Sequence, residues 1–97
     1  MKKAIFPGSF DPFTNGHKDI VDQALNVFDE IIIAVGKNSS KSYMFSLKER
    51  ISFIKKSFKT NSKITIESYS DLTIKFCESQ NIKFLVRGLR NINDFVF

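Results

Sequence analysis

One stretch near the start of the chain combines residue types that can hold an anion. It reads GSFDPFTNGH over residues 8–17 and contains two of the four glycines and the only histidine of the sequence. Ser9 supplies a hydroxyl, and the His17 imidazole can donate a hydrogen bond. If a helix begins within TNGH, its free backbone N–H groups and the positive end of its dipole also attract negative charge. These residues predict a phosphate-binding turn.

The position of His17 has two interpretations. Thr14 or Asn15 can act as the N-cap, which places His17 in the first helical turn. A histidine in that turn is either an ordinary surface residue or a donor to a bound phosphate. Gly8 and Gly16 favour the second interpretation, because glycine lets a ligand approach the backbone closely. The stretch has neither the P-loop pattern G-x-x-x-x-G-K-[ST] nor the dinucleotide pattern G-x-G-x-x-G.

The elements that must position this turn follow from hydrophobic periodicity. Residues 2–6 predict a short apolar strand that Pro7-Gly8 ends. Residues 16–28 predict a helix with an apolar stripe on one face. The residues of that stripe are Ile20, Val21, Ala24, Leu25 and Phe28. Residues 30–36, EIIIAVG, are apolar and β-branched, which is typical of a strand covered on both faces.

The alternation continues after a polar loop. Ser46 predicts the start of a second helix, because Glu49 stands three residues later and completes a capping box. The apolar stripe of this helix consists of Leu47, Ile51, Ile54 and Phe58. Residues 63–68 alternate between apolar and polar types, and they predict a third strand.

Three further elements complete the pattern. Ser70-Asp71 can cap a third helix that carries Leu72, Phe76 and Cys77, and residues 83–86 predict a fourth strand. Asn91, with Asp94 three residues later, predicts the start of a helix that runs to Phe97. The resulting order is βαβαβαβ, followed by that last helix.

Strands that alternate with helices predict an α/β fold with a parallel sheet and helices on both faces, built as one domain over residues 1–97. In such sheets, ligands bind outside the carboxyl ends of the strands, where the strand order reverses. Three polar segments, residues 8–17, 37–45 and 86–90, follow the first, second and fourth strands. We therefore expect them to converge at one edge of the sheet.

Composition narrows the classes of partner. Fifteen Lys and Arg against ten Asp and Glu give a formal net charge of +5, which favours anionic partners. The sequence has no apolar run of about 18 residues that could span a bilayer, and its N-terminus lacks the features of a signal peptide. We therefore expect a cytoplasmic protein with no membrane partner. Cys77 is the only cysteine, so no intrachain disulfide or thiolate metal cluster can form.

The stretch GSFDPFTNGH resembles the (T/S)-x-x-x-G-H signature of the nucleotidyltransferase superfamily, and its TNGH form is similar to that of bacterial phosphopantetheine adenylyltransferases. Three later stretches, SKSYMFSLKERISFI, YSDLTIKFC and FLVRGLRNINDF, resemble further segments of that family in the same order. The resemblance implies a Rossmann-like nucleotidyltransferase fold. It also implies transfer of an adenylyl group from ATP to 4'-phosphopantetheine with Mg²⁺ as cofactor, and a hexameric assembly.

The resemblance also implies roles for individual residues. His17 is expected to contact the α-phosphate of ATP and to be the catalytic residue, while Ser9 touches both reactants and the Ser9-Phe10 backbone lies beside ATP. ATP is further expected to contact Gly88, Leu89 and Arg90. Phosphopantetheine is expected to contact Lys41, Thr73 and Arg87.

Several of these expectations have alternatives. Lys41 shares its loop with Lys37 and can be a solvated loop lysine, Arg87 and Arg90 can pair with surface carboxylates, and Thr73 can simply pack. Members of the family continue well beyond the position of residue 97, through a segment with an ATP-binding motif. The resemblance therefore implies that the C-terminal part is missing and that the ATP pocket of this chain is incomplete. Two other functions stay open: another nucleotidyltransferase, or a non-catalytic module that binds nucleotides or RNA. The scattered basic residues argue against a nucleic-acid partner.

Overall fold

The computed structural model describes residues 2–37, 42–59, 61–70, 75, 82, 84–86 and 95–96. Two helices and five strands are assigned among them. In chain order they are β1 (Lys3–Gly8), α1 (Asn15–Ala24), β2 (Glu30–Gly36), α2 (Leu47–Ser57), β3 (Ile64–Tyr69), β4 (Phe84–Val86) and β5 (Phe95–Val96). Of the predicted third helix, Lys75 is described and has helical backbone, whereas its predicted apolar residues lie outside the described part.

The strands form one sheet with the order β3-β2-β1-β4-β5. The first four strands are parallel, as the alternation of strands and helices predicts. The chain proceeds outward from β1 through β2 to β3 and then returns to the other side of β1 at β4. The strand order therefore reverses beside β1, which puts the turn that follows β1 where parallel sheets bind ligands.

One face of the sheet carries the main core. Ala4 and Phe6 of β1 and alternate residues of β2 pack there against both described helices. The helical side chains buried in this cluster include Val21 and Ala24 of α1 and Ile54 of α2. Ile5, Ile32 and Ala34 point to the second face, and they are also buried. Helices on that second face stay a prediction, because most of the chain between β3 and β4 lies outside the described residues.

Two predicted boundaries need correction. Pro7-Gly8 does not end β1, because Pro7 and Gly8 pair in register with Ala34 and Val35 of β2. The described pairing of β1 with β4 covers only Ala4 and Ile5, so Pro7 lies where a missing N–H is tolerated. Helix α1 ends at Ala24 rather than continuing to residue 28, and tighter turns follow it.

The predicted C-terminal helix over residues 91–97 is wrong at the positions that the structure describes there. Phe95 and Val96 form β5, which pairs antiparallel with Val86 and Leu85. Aromatic and β-branched residues favour strands, and pairing with β4 gives this segment hydrogen bonds that a short uncapped helix lacks. Residues 91–94 and 97 lie outside the described part. In the described ranges, no helix has the length and apolar character needed to cross a membrane.

Candidate functional site

The turn between β1 and α1 is held in a constrained conformation. Phe10 has a positive φ of 50°, which is uncommon for a bulky residue and must be supported by its surroundings. The support comes from a buried aromatic cluster in which the Phe10 ring lies 5.0 Å from Phe6, 5.4 Å from Phe13 and 5.1 Å from the His17 ring. Since the Phe10 side chain is buried in this cluster, only its backbone can face a ligand.

His17 is the third residue of α1 and closes a capping box with Thr14. The Thr14 hydroxyl accepts from the His17 backbone N–H at 3.3 Å, and the Thr14 backbone N–H donates to His17 Nδ1 at 3.0 Å. A backbone N–H can only donate, so Nδ1 must be unprotonated. The neutral ring then carries its proton on Nε2, and the cap fixes the tautomer in which Nε2 is the donor.

Burial lowers the pKa of His17 below its ordinary value of 6.5. The hydrogen bond from Thr14 acts in the same direction, because a donor aimed at Nδ1 favours the neutral ring. His17 is thus a neutral hydrogen-bond donor at neutral pH, beside the backbone N–H groups of Asn15 and Gly16, which the capping box does not use. This arrangement can stabilise negative charge without transferring a proton.

Asp11 joins the same turn to the segment that precedes α2. Its carboxylate accepts from the backbone N–H groups of Met44 at 2.6 Å and of Phe45 at 2.7 Å. These contacts place the end of the 37–45 loop beside the β1–α1 turn. The predicted convergence of these two segments is therefore confirmed.

Arg50, in the first turn of α2, makes a second connection at this edge. Its Nη1 donates to the carbonyl oxygens of Ser9 and Gly36, each at 2.8 Å.

Sequence reasoning missed both Arg50 and Asp11. A signal for Arg50 was present, since it lies three residues after Leu47 and four before Ile54, on the apolar stripe of the helix. No local pattern pointed to the partners of Asp11, which are 33 and 34 residues away.

The predicted site residues divide into two groups. Ser9, Phe10 and His17 lie together in the β1–α1 turn and the first turn of α1, as expected. The other six lie outside the described residues, and they are Lys41, Thr73, Arg87, Gly88, Leu89 and Arg90. Val86 ends β4 parallel to β1, so the chain leaves β4 at the same edge of the sheet.

The described side chains do not fit a metal site built by the protein. The ranges that the structure covers contain no group of three or more His, Cys, Asp or Glu side chains that could hold a metal ion. Asp11, the carboxylate of the turn, is already engaged by two backbone N–H groups. In proteins, Mg²⁺ commonly binds through one or two carboxylates together with substrate phosphates, and it retains several waters.

The parallel sheet and its switch point beside β1 define an α/β protein whose candidate ligand site lies at the carboxyl edge of the sheet. The chain belongs to the cytidylyltransferase-like family, whose family model matches residues 5–96. It is similar to the phosphopantetheine adenylyltransferase of Christiangramia forsetii, with 60% identity, and to that of Flavobacterium psychrophilum, with 54% identity, each over 97 residues. These relatives confirm the resemblance carried by the four motifs. The chain spans 64% of the length of each.

Solved structures show the same fold. Plasmodium falciparum nicotinic acid mononucleotide adenylyltransferase complexed with APC matches with a TM-score of 0.68 and 22% identity, covering 82% of this chain and 44% of that one. A lipopolysaccharide core biosynthesis protein from Thermoplasma volcanium matches with a TM-score of 0.68 and 17% identity, covering 88% of this chain and 72% of that one. At these identities the likeness concerns the fold alone.

Proposed function

We propose that this chain forms the phosphate-binding part of a phosphopantetheine adenylyltransferase. The reaction transfers an adenylyl group from ATP to 4'-phosphopantetheine and yields dephospho-coenzyme A and pyrophosphate, a step of coenzyme A synthesis. The observation that carries the proposal is the 60% identity to a phosphopantetheine adenylyltransferase along all 97 residues. The geometry of the β1–α1 turn supports it, because a neutral donor at a helix start suits a reaction between anions.

The chemistry requires alignment rather than a protein nucleophile. A phosphate oxygen of phosphopantetheine attacks the α-phosphorus of ATP, the new P–O–P bond forms, and the bond to the β-phosphate breaks to release pyrophosphate. The second pKa of such a phosphate is about 6, so the attacking group is already largely ionised at neutral pH. A general base is therefore unnecessary, and stabilising the charge that develops is the task left to the protein.

His17 is suited to this task. Its Nε2–H, fixed by the Thr14 cap, would donate to the α-phosphate where charge develops. Nε2 carries a proton in this neutral tautomer as well as in the imidazolium, so the lowered pKa leaves the donor in place. Ser9 lies at the end of β1, close to where both substrates would meet, and the Ser9-Phe10 backbone would lie along ATP.

The remaining roles extend this proposal to residues outside the described part. Lys41 and Arg87 would hold the phosphate of phosphopantetheine, and Thr73 would lie beside its pantetheine arm. Gly88, Leu89 and Arg90 would contact ATP. Mg²⁺ would enter with the triphosphate and supply charge neutralisation there. We further propose a cytoplasmic homo-oligomer, hexameric as in the family that the motifs resemble.

The direct test is pyrophosphate release from ATP, Mg²⁺ and 4'-phosphopantetheine, compared with the same mixture without phosphopantetheine. Pyrophosphate that appears only in the complete mixture, together with dephospho-coenzyme A identified by mass, supports the proposal. Binding of ATP without any such product in the full-length protein would contradict it.

Three variants of His17 separate its proposed role from helix capping. His17→Asn keeps an acceptor near the position of Nδ1 but has no donor at the position of Nε2, whereas His17→Gln can cap Thr14 and still donate. Loss of one transition-state donor typically lowers kcat about 100- to 1000-fold. We expect that loss in the asparagine variant with stability near that of the wild type, and partial recovery in the glutamine variant. An unchanged kcat in both the asparagine and the glutamine variants, with His17→Ala lowering stability only, would assign His17 to capping alone.

A further inference from the structure

Arg50 combines a fixed charge with nearly complete burial. It is 1% exposed and is the only polar or charged side chain in the buried class among the described residues. The guanidinium group of arginine is always charged in proteins, so a positive charge is buried at position 50. An isolated buried charge is strongly unfavourable unless it is compensated.

The compensation that the structure shows is incomplete. Nη1 donates to the two carbonyl oxygens of Ser9 and Gly36, and the guanidinium lies 4.0 Å from the centre of the Tyr43 ring. These contacts supply hydrogen bonds and a cation–π interaction but no negative charge. The ion pairs found in the described part of the chain join Lys3 to Glu30 and Lys18 to Asp22, so none involves Arg50. In addition, Nε is buried without a hydrogen-bond partner.

The contacts of Arg50 coincide with the candidate site. Ser9 follows β1, Gly36 ends β2, and Tyr43 belongs to the loop that leads into α2. The guanidinium therefore joins three of the described segments that border the carboxyl edge of the sheet. The Asp11 carboxylate, in the β1–α1 turn, accepts hydrogen bonds from the N–H groups of Met44 and Phe45, and it makes no ion pair with Arg50.

We propose that Arg50 is a positioning residue for the phosphate site and that the bound substrate anion supplies the negative charge its guanidinium lacks. The identity of the anion rests on the proposed function. The role of Arg50 rests on its burial and on the lack of an ion pair with any other described residue. Arg50 would hold the Ser9 carbonyl and the loop through Nη1, and its charge would raise the affinity of the edge for phosphates.

The size of the effect follows from Coulomb's law. Two unit charges about 8 Å apart, at an effective dielectric constant of about 20, interact strongly enough to change affinity on the order of 30-fold. Because ions in solution screen such an interaction, the effect should decrease as ionic strength rises. A residue that only supports the fold would show neither the affinity change nor the salt dependence.

The experiment compares Arg50→Lys with Arg50→Gln in the full-length protein. Both replacements can donate to the Ser9 and Gly36 carbonyls, but only lysine keeps the charge. Calorimetric titration with inorganic pyrophosphate and with ATP, at low and high salt, gives the dissociation constants, and urea unfolding gives the folded fraction. Lys48→Met is the matched control, because it removes one exposed positive charge from the same helical turn.

We expect Arg50→Gln to bind both anions on the order of 30-fold more weakly at low salt, with a smaller salt dependence than the wild type. Arg50→Lys should recover most of the affinity, and Lys48→Met should bind like the wild type. Arg50→Met replaces the glutamine variant if that protein does not fold. The inference would be overturned if the neutral variant kept the wild-type affinity per folded molecule. Equal losses of affinity in Arg50→Lys and Arg50→Gln would overturn it too, as would a wild type that binds neither anion. A wild type that binds them in the expected way but forms no dephospho-coenzyme A would refute the proposed function and leave the role of Arg50 standing.

Discussion

Gly8→Ala should disturb the site by crowding the Phe10 ring. A Cβ at position 8 would lie 2.9 Å from Cζ of Phe10 and 3.1 and 3.2 Å from its two Cε atoms. The ring cannot easily retreat, because it is 4% exposed and packs against Phe6, Phe13 and His17. Nor can the backbone readily shift, since Phe10 already has a positive φ.

The magnitude follows from two opposing effects. Overpacking a well-packed core by one methyl group typically costs about 1–3 kcal/mol. Replacing glycine by alanine restricts the unfolded chain and returns about 0.4–1 kcal/mol. The free energy of unfolding should therefore fall by roughly 1–2 kcal/mol. A displaced Phe10 ring also moves its neighbour His17, and a misplacement of about 1 Å at a catalytic group can lower kcat about 100-fold.

Gly36→Ala is the matched control for this experiment. Gly36 ends β2, and a Cβ there would meet nothing closer than the Tyr69 hydroxyl at 3.5 Å, which is ordinary van der Waals contact. Urea unfolding and steady-state kinetics of both variants provide the comparison. We expect lower stability and lower kcat only in Gly8→Ala. Equal stability of the two variants would refute the reasoning that the Phe10 ring is held in place.

Three further predictions concern the same turn. As pH falls below 6.5, His17 should contribute progressively less to stability, because its pKa is lowered in the folded protein and the unfolded chain then binds more protons. Urea unfolding from pH 8 to pH 5 should show a decline in the free energy of unfolding of the wild type that His17→Asn lacks. Gly16→Ala should raise the free energy of unfolding by about 0.5–1 kcal/mol, since the added Cβ meets only Thr14 Oγ1 at 3.5 Å. The same variant should bind ATP more weakly in calorimetric titration, because the added methyl group would obstruct a ligand that approaches this backbone. Asp11→Asn should weaken the hydrogen bonds to the Met44 and Phe45 N–H groups and raise the KM for phosphopantetheine more than the KM for ATP. An unchanged ratio of the two KM values would show that Asp11 does not support the function of the loop.

The sequence by itself determined the features that depend on neighbours within a few residues. The capping boxes at Thr14 and Ser46 join groups three residues apart, so the starts of α1 and α2 could be predicted. The continuous apolar run of β2 and the alternation in β3 likewise predicted two strands, and the alternation of strands with helices predicted a parallel sheet. The order of these elements placed Ser9 and His17 in one turn at the carboxyl edge, and four motifs indicated the family.

The tertiary structure alone decided features whose partners are distant in the chain. Phe95 and Val96 form a strand because β4 offers them a pairing edge, whereas their local pattern had suggested a helix. Arg50 is buried because the carbonyl oxygens of Ser9 and Gly36 receive its N–H groups from 41 and 14 residues away. A hydrogen bond of this kind depends on where folding brings two segments together, and no periodicity within either segment encodes that distance.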